Sequence, residues 1–138
     1  METDNRVTHM LTTMVSAQAE FASGRAGAFQ AMWSQRDDVT IFGAFGAVAH
    51  GWSEVGPRLA WAASHFTSGK WDYEPISSGF GTDLGYTVWM ERGEDVFTTP
   101  LRVTHVFRLE DDQWKIVHRH GDPLVEIAVA ASEIDSVD

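Results

Sequence analysis

Residues 102–124, RVTHVFRLEDDQWKIVHRHGDPL, read as two β-strands joined by a tight acidic turn, and they hold three of the six histidines in the chain. Side chains alternate between the two faces of a strand. Strict alternation gives two sets of residues: Val103, His105, Phe107 and Leu109 on the first strand, and Trp114, Ile116, His118 and His120 on the second. If these faces coincide, three histidines share one sheet surface beside a tryptophan and a phenylalanine. That surface is a candidate site.

Length and composition restrict the class of protein. At 138 residues the chain is expected to form a single domain, residues 1–138, with one hydrophobic core. The net charge of −10 argues against nucleic acid or an anionic membrane as partner, since both need a basic surface. The absence of cysteine excludes disulfides and thiolate chemistry. Residues 1–10 contain no apolar leader, and no run is long enough to span a membrane, so we expect a cytoplasmic location.

The first half of the chain is predicted to be largely helical. Apolar residues at three- and four-residue spacing predict an amphipathic helix over residues 7–21, and Gly24 is placed to end it. A second, short helix is predicted over residues 26–33. A third is predicted to start at Ser53, which is suited to be its N-cap.

The second half is predicted to be strand. Residues 39–42, VTIF, read as a short strand, and residues 43–51, GAFGAVAHG, as a glycine-rich turn. The turn sequences GTD, RGED and EDD then separate four long predicted strands: residues 71–80, 84–91, 101–109 and 113–121. Helices followed by antiparallel strands indicate an α+β fold. We expect a curved antiparallel sheet with three N-terminal helices covering its concave face, so that sheet and helices enclose a cone-shaped pocket.

The boundaries of the core and the outer face of the sheet lead to two further expectations. The core is expected to cover about residues 7–124, and the acidic C-terminal tail, residues 125–138, is expected to fray. Both faces of the four long predicted strands carry apolar residues. The outer face is therefore expected to be covered by a second copy of the chain, which predicts a homodimer.

The order of these segments resembles the nuclear transport factor 2-like superfamily. The resemblance rests on a helix, a short helix, the sequence DDVTIFG at residues 37–43, a glycine-rich turn, a Gly-Trp pair, a helix and four strands. The superfamily includes SnoaL-like polyketide cyclases, ketosteroid isomerases and the association domain of calcium/calmodulin-dependent protein kinase II. The chain is most similar to small bacterial members whose last strand carries a tryptophan, two histidines and an acidic residue, here Trp114, His118, His120 and Asp122.

The resemblance covers residues 7–124 and implies the fold more strongly than an activity, because this fold supports enzymes, scaffolds and binding modules. A ketosteroid isomerase has a carboxylate base in the strand after the second helix and a tyrosine on the first helix. Here residues 39–43 hold no carboxylate and the first predicted helix holds no tyrosine, so steroid isomerisation by that mechanism is not expected. The kinase association domain matches better locally, with His105 in place of a pocket arginine and with His118 and His120 matching its paired histidines.

The candidate catalytic residues are His105, His120 and Asp122. Asp122 could orient the ring of His120, and an imidazole held by a carboxylate is a competent general base near neutral pH. Asp122 could equally begin the turn before Pro123. Three histidines, with His118 as the third, could also bind zinc. The resemblance implies no metal, however, so neither a metal nor another cofactor is expected.

Further residues are predicted to line the pocket. They are mostly aromatic, and they are Trp33, Arg58, Trp61, Tyr86, Phe107 and His118. Arg58 lies beside Trp61 and His65 on the third predicted helix and could hold a ligand carboxylate. Glu74 or Glu91 could reach a histidine from a neighbouring strand. The alternatives are ordinary aromatic core and a solvated helix face.

Three classes of function stay open. The first is a cofactor-free SnoaL-like isomerase, cyclase or lyase that acts through His105 or His120. The second is a non-catalytic pocket for a small ligand, with an acidic ligand as one option, and the third is an oligomerisation module similar to the kinase association domain. Small-molecule binding in a conical hydrophobic pocket, with catalysis left open, is the function that the sequence favours.

Overall fold

The computed structural model describes residues 5–94, 97–125 and 127, and in these residues three helices pack against one open, curved sheet of six strands. The helices are α1 (Asn5–Ala22), α2 (Gly27–Ala31) and α3 (Trp52–Ala63). The strands are β1 (Thr40–Phe42), β2 (Val48–His50), β3 (Trp71–Phe80), β4 (Leu84–Gly93), β5 (Leu101–Glu110) and β6 (Gln113–Pro123). The predicted α+β class is confirmed.

The helices follow the apolar spacing of the sequence, with differences at their ends. In α1 the side chains of Met10 and Met14 are buried as predicted, and the chain turns away at Gly24, whose φ of +94° favours glycine. The prediction that Ser53 is the N-cap of α3 is wrong. Gly51, at a φ of +82°, takes that place, and Ser53 lies within the helix. Helix α2 ends earlier than predicted. Among the described residues no helix is long and apolar enough to cross a membrane.

The sheet has the order β2-β1-β6-β5-β4-β3, in which β3 to β6 form the predicted antiparallel meander. Two features differ from the prediction. The glycine-rich segment contains a strand, β2, which pairs with β1 through Ile41 and Ala49. Strand β1 runs parallel to β6, with Thr40 opposite His118, so the sheet is not entirely antiparallel. This pairing satisfies the backbone groups that β6 would otherwise expose as an edge strand.

A β-bulge in the β5–β6 hairpin decides which side chains of β6 face the helices. Phe107 lies opposite Ile116, but the next pair is Val106 and His118, so Val117 is an extra residue in β6. Because an extra residue reverses the alternation, the side chains beyond Val117 point to the opposite face from the one predicted. The prediction that His105, His118 and His120 share a face is therefore wrong.

Two faces of the sheet follow from this register. The inner face, which packs against the helices, carries Thr87, Trp89, Glu91, Val103, His105, Phe107, Trp114, Ile116, Arg119 and Gly121. The outer face carries Tyr86, Val88, Met90, Arg102, Thr104, Val106, His118, His120 and Asp122. The core lies between the inner face and the helices, where each large apolar side chain contributes about 1.5–3 kcal/mol by burial. Two charged residues, Glu91 and Arg119, interrupt this apolar inner face.

Candidate functional site

Glu91 of β4 and Arg119 of β6 form a buried ion pair on the inner face. Arg119 donates from Nη2 to Oε1 of Glu91 at 2.9 Å and from Nη1 to Oε2 at 3.0 Å. The side chains are 4% exposed for Glu91 and 13% exposed for Arg119. Two parallel hydrogen bonds of this kind fix the planes of both groups relative to each other. The pair therefore presents Arg119 in one defined orientation.

Neutral side chains complete the surroundings of Glu91. Its Oε2 also accepts a hydrogen bond from the indole Nε1 of Trp89 at 2.9 Å and a longer one from Nε2 of Gln18 in α1 at 3.4 Å. Burial alone would raise the pKa of Glu91, but the charge and hydrogen bonds of Arg119 outweigh it and lower the pKa to about 2. Glu91 is thus ionised at neutral pH and is a weak proton acceptor.

His105 of β5 holds the other side of Arg119. Its Nε2 lies 3.0 Å from Nη1 of Arg119, and its Nδ1 lies 3.1 Å from Oγ1 of Thr87. Since a guanidinium can only donate, Nε2 must accept, and the proton of the neutral ring lies on Nδ1. Burial first, and then the positive charge of Arg119, lower the pKa of His105 to about 3. The ring is fully buried, so its role in this geometry is to position Arg119.

Arg119 forms part of the wall of a cavity between the helices and the sheet. The cavity has two chambers that share the side chains of Gln18, Phe21, Phe66, Phe97, Leu101 and Arg119. The first chamber has a volume of about 70 Å³ and the second a volume of about 60 Å³. A cavity needs about 10–15 Å³ to hold one water. Each chamber therefore has room for several waters or for a small organic group.

A second guanidinium lines the second chamber. Arg58 of α3 lies with its Cζ 3.8 Å from the ring centre of Trp61, a cation–π contact. Trp61 in turn contacts Phe45 and His65, at ring-centre distances of 5.2 Å and 4.3 Å. The stacked rings hold Arg58 at the helix side of the chamber, while Arg119 lies on its sheet side.

Comparison with known proteins identifies the family. Residues 7–126 match the family of SnoaL-like domains. The chain belongs to this family. No curated protein shows significant sequence similarity to it.

Solved structures show the same fold at low identity. A cystatin-like fold protein from Burkholderia xenovorans is similar with a TM-score of 0.70 and 17% identity, over 89% of this chain and 95% of that chain. A protein from Thiobacillus denitrificans, provisionally named a calcium/calmodulin-dependent protein kinase type II association domain, is similar with a TM-score of 0.68 and 18% identity. The match covers 82% of this chain and 93% of that chain. A nuclear transport factor 2-like protein of unknown function from Shewanella oneidensis has a TM-score of 0.64 and 14% identity, over 83% of this chain and 98% of that chain. The predicted superfamily is confirmed, and at these identities the likeness concerns the fold alone.

The predicted catalytic residues of this SnoaL-like domain are divided between the two faces of the sheet. His105 lies on the inner face, but His120 and Asp122 lie on the outer face. There Nε2 of His120 is 4.0 Å from Oδ2 of Asp122, and Arg102 binds both carboxylate oxygens of Asp122 at 2.7 Å and 2.9 Å. The hydrogen bonds from Arg102 lower the pKa of Asp122. The three residues therefore do not form one site, because the bulge reverses which face of the sheet the side chains at the end of β6 point to.

His118 also lies on the outer face, where its Nδ1 is 2.7 Å from Oγ1 of Thr40 and its ring packs edge-on against Phe42. Burial and the nearby charge of His120 lower the pKa of His118. The three-histidine zinc site considered from the sequence does not form, since His105 is on the other side of the sheet. Within the described residues no cluster of histidine, aspartate and glutamate suited to a metal ion is found.

The predicted pocket residues fall into three groups. Arg58 lines the second chamber, whereas Trp61 packs against Arg58, is 41% exposed and lines neither chamber. Tyr86 lies on the outer face, 41% exposed, because even-numbered residues of β4 point away from the helices. Trp33 and Phe107 are fully buried in the core, where they pack against other rings, and they do not line either chamber.

Sequence reasoning missed Arg119, the residue at the centre of the site. Strict alternation puts Arg119 on the face of β6 opposite that of Ile116 and His118, and a one-residue bulge reverses that assignment. Two signals pointed to a buried cation. Gln18 falls on the apolar stripe of α1, and Glu91 shares a strand face with Trp89. A buried carboxylate beside a buried amide needs a positive partner from elsewhere in the chain.

Proposed function

We propose that this SnoaL-like domain binds a small organic anion in the cavity between α1, α3 and the inner face of the sheet. The observation that carries the proposal is the guanidinium of Arg119. It is shielded from solvent, fixed in place by Glu91 and His105, and part of the wall of both chambers. A guanidinium held rigidly in a largely apolar cavity is a strong site for an oxyanion.

The charges around the cavity support an anionic ligand in an otherwise acidic protein. The chain has 10 lysines and arginines against 20 aspartates and glutamates. Even so, the described residues that line the two chambers include four cations, Arg58, Lys70, Arg92 and Arg119, and one carboxylate, Glu91. This local reversal of sign attracts an anion that the rest of the surface repels.

The second chamber carries one unbalanced positive charge. Arg119 is neutralised by Glu91, whereas Arg58 stacks on Trp61 and has no carboxylate partner among the described residues. In the first chamber, Lys70 and Arg92 lie near glutamates at the surface. A ligand with a single negative charge therefore matches the second chamber best.

The remaining walls fit the apolar body of such a ligand. Phenylalanine rings from five separate segments line the second chamber: Phe21, Phe29, Phe45, Phe66 and Phe97. Ligand sites of this kind are mostly apolar, with a few polar groups that fix orientation. The ligand we propose is a small molecule with an apolar body and one anionic group.

Binding is better supported than an isomerase, cyclase or lyase reaction in the same cavity. Such a reaction needs a proton acceptor near the ligand. Glu91 is held ionised by Arg119 with a pKa of about 2, and His105 already accepts a hydrogen bond at Nε2. These two groups orient Arg119 and do not present a free basic atom to the cavity.

Thermal unfolding with a panel of small molecules tests the proposal. The panel contains hexanoate, benzoate, phenylacetate, benzenesulfonate and phenylphosphonate, and the neutral hexanamide, benzamide and benzyl alcohol. We expect at least one anion, and none of the neutral molecules, to raise the unfolding temperature of the wild-type protein by mass action. If no anion stabilises the wild-type protein, the proposal is wrong.

The variants must remove the guanidinium without leaving a buried charge. Arg119→Met alone would leave the buried carboxylate of Glu91 without its positive partner. The double variant Arg119→Met, Glu91→Met is therefore the better test. It should lose the response to anions. Arg102→Met removes the same charge from the outer face and should respond like wild type. An unchanged response in the double variant would place the binding site elsewhere.

A further inference from the structure

We propose that the anionic group of the ligand is a carboxylate, that it binds the Nε–Nη2 edge of Arg119, and that Gly121 keeps this edge open. This inference rests on the proposed function and goes further by assigning the ligand chemistry and a residue that determines specificity. It is carried by the hydrogen bonds of Arg119 and by the position of Gly121 beside the edge of the guanidinium that those bonds leave unused.

The hydrogen bonds of Arg119 leave one edge of the guanidinium unused. Of its five N–H donors, two on Nη1 go to Oε2 of Glu91 and Nε2 of His105, and one on Nη2 goes to Oε1 of Glu91. The N–H of Nε and the second N–H of Nη2 have no partner among the described residues. These two donors point the same way in the plane of the group, with the spacing of the two oxygens of a carboxylate.

Gly121 lies beside this edge, two residues after Arg119 on the same face of β6. A Cβ at position 121 would lie 3.5 Å from Nη2 and 3.7 Å from Nε of Arg119. The φ angle of Gly121 is not in the left-handed region, so its backbone does not require glycine. Glycine within a strand often marks a place where another group approaches closely. A methyl group at position 121 would be in ordinary van der Waals contact with these two nitrogens and with Cγ2 of Val103 at 3.7 Å, so glycine keeps the volume beside the unused donors free of a side chain.

Charge and shape together favour a carboxylate over other anions. Among the described residues that line it, the second chamber has a surplus of one positive charge, from Arg58, which matches a monoanion. A phosphonate near neutral pH carries up to two negative charges and would leave one unbalanced close to Glu91. A planar carboxylate also fills a side-on guanidinium fork in one plane, whereas a tetrahedral sulfonate or phosphonate projects a further oxygen toward the apolar walls.

The test compares matched ligands on Gly121→Ala and on a control glycine variant. Isothermal titration should show that wild-type protein binds benzoate or phenylacetate more tightly than benzenesulfonate, phenylphosphonate or benzamide. Gly121→Ala should weaken carboxylate binding by about tenfold or more, as expected when a charged hydrogen-bond pair is obstructed. The control is Gly27→Ala in α2, where a Cβ would meet nothing within 4 Å, and it should bind like wild type.

A spectroscopic measurement keeps the inference testable if Gly121→Ala folds poorly. In wild-type protein the ¹⁵N–¹H signal of Arg119 Nε, assigned by its loss in Arg119→Lys, should shift on addition of the carboxylate that binds most tightly. The Nε signal of Arg102, assigned in the same way, should not move.

The outcomes separate this inference from the proposed function. If anions bind and the double variant Arg119→Met, Glu91→Met abolishes binding, the proposed function holds. The inference is nevertheless overturned if Gly121→Ala binds carboxylates as tightly as wild type, if sulfonates or phosphonates bind equally well, or if the Nε signal stays in place. If no anion binds the wild-type protein, both are wrong.

Discussion

At the scale of single residues, the pair of Glu91 and Arg119 combines a structural and a binding role. Glu91→Gln keeps the shape of the side chain but leaves a buried guanidinium without its counter-charge. It should lower the free energy of unfolding by about 3–5 kcal/mol, the cost of breaking a buried ion pair from one side. Urea titration measures this change.

The control for this prediction is a glutamate in an exposed pair. Glu74 of β3 lies 3.9 Å from Arg92, and both side chains are more than half exposed. Glu74→Gln should cost less than about 1 kcal/mol, since exposed pairs contribute little. Equal costs for the two variants would show that the buried pair adds no more to stability than a surface pair.

His105 gives a prediction about pH. Its pKa is about 3 in the folded protein, against an ordinary value of 6.5. Below pH 6.5 the unfolded chain takes up a proton that the folded protein does not, so stability falls as the pH falls. The slope from one such group reaches at most about 1.4 kcal/mol per pH unit. Glu91, with a pKa lowered from 4.5 to about 2, adds a loss of the same sign only below pH 4.5.

Between pH 6.5 and 4.5, His105→Gln should therefore flatten the dependence of stability on pH. Urea titrations of the wild type and the variant at pH 7, 6 and 5 measure the slope. His118, whose pKa is also lowered, adds a slope of the same sign in both proteins. His9 is exposed, and the control His9→Gln should change the free energy of unfolding at pH 7 by less than about 0.5 kcal/mol. Parallel curves for His105→Gln and wild type would contradict the neutral, buried state of this ring.

The sequence predicts individual site residues only where their element has regular alternation. Arg58 lines the second chamber and contacts Trp61, and this polar-aromatic stripe is visible in the spacing because α3 is a regular helix. His120 and Asp122 were placed on the wrong face, because the alternation of side chains between the two faces reverses beyond the bulge. Arg119 was missed for the same reason, although Gln18 already indicated a buried polar partner.

At the scale of elements, the turn between β5 and β6 carries backbone strain. Asp111 and Asp112 have φ angles of +50° and +63°, a conformation that costs residues with a Cβ about 1–2 kcal/mol. Two-residue hairpin turns of this kind favour glycine at the second position. Asp112→Gly should therefore be more stable than Asp112→Ala by about 1 kcal/mol in urea titration.

The alanine variant is the matched reference for this turn. Both substitutions remove the exposed ion pair from Arg6 to Asp112, at 3.0 Å, so the difference between them reports the backbone conformation alone. If the two variants are equally stable, the turn is not strained at position 112.

Most elements were predictable because they are long and periodic. The apolar spacing of α1 and the alternation of β4 and β5 each extend over two or more periods, and turn sequences mark the ends of the strands. Strand β2 was not predicted, since three residues in a glycine-rich segment carry no period. The bulge at Val117 was not predictable either, because it is an insertion of one residue that no turn or glycine signal in the local sequence marks.

At the scale of the whole molecule, the distribution of charge separates the cavity from the outside. A net charge of −10 keeps anions away from most of the surface, whereas four of the ten lysines and arginines gather at the cavity. The ion pair that creates this site joins β4 and β6 across β5, so binding and stability depend on the same contacts. Substitutions that improve one are therefore expected to affect the other.

The outer face leads to a prediction about assembly. It carries large apolar side chains that are well exposed, among them Ile76 at 61% and Tyr86 at 41%, beside the paired charges of Arg102 and Asp122. A second copy of the chain offers the same apolar surface and complementary charges about a two-fold axis. We expect a homodimer through this face. Light scattering coupled to size exclusion should give twice the mass of 15.3 kDa.

The double variant Ile76→Glu, Tyr86→Glu brings four carboxylates into such an interface, two from each copy, without altering the core, so it should yield folded monomers. Val15→Glu is the control, because Val15 is 40% exposed on α1 and lies on the helical side of the molecule. It should stay dimeric. A wild-type monomer at all concentrations would contradict the prediction. If the double variant stays dimeric and Val15→Glu does not, the interface lies on the helices, next to the cavity. Ligand binding would then depend on protein concentration.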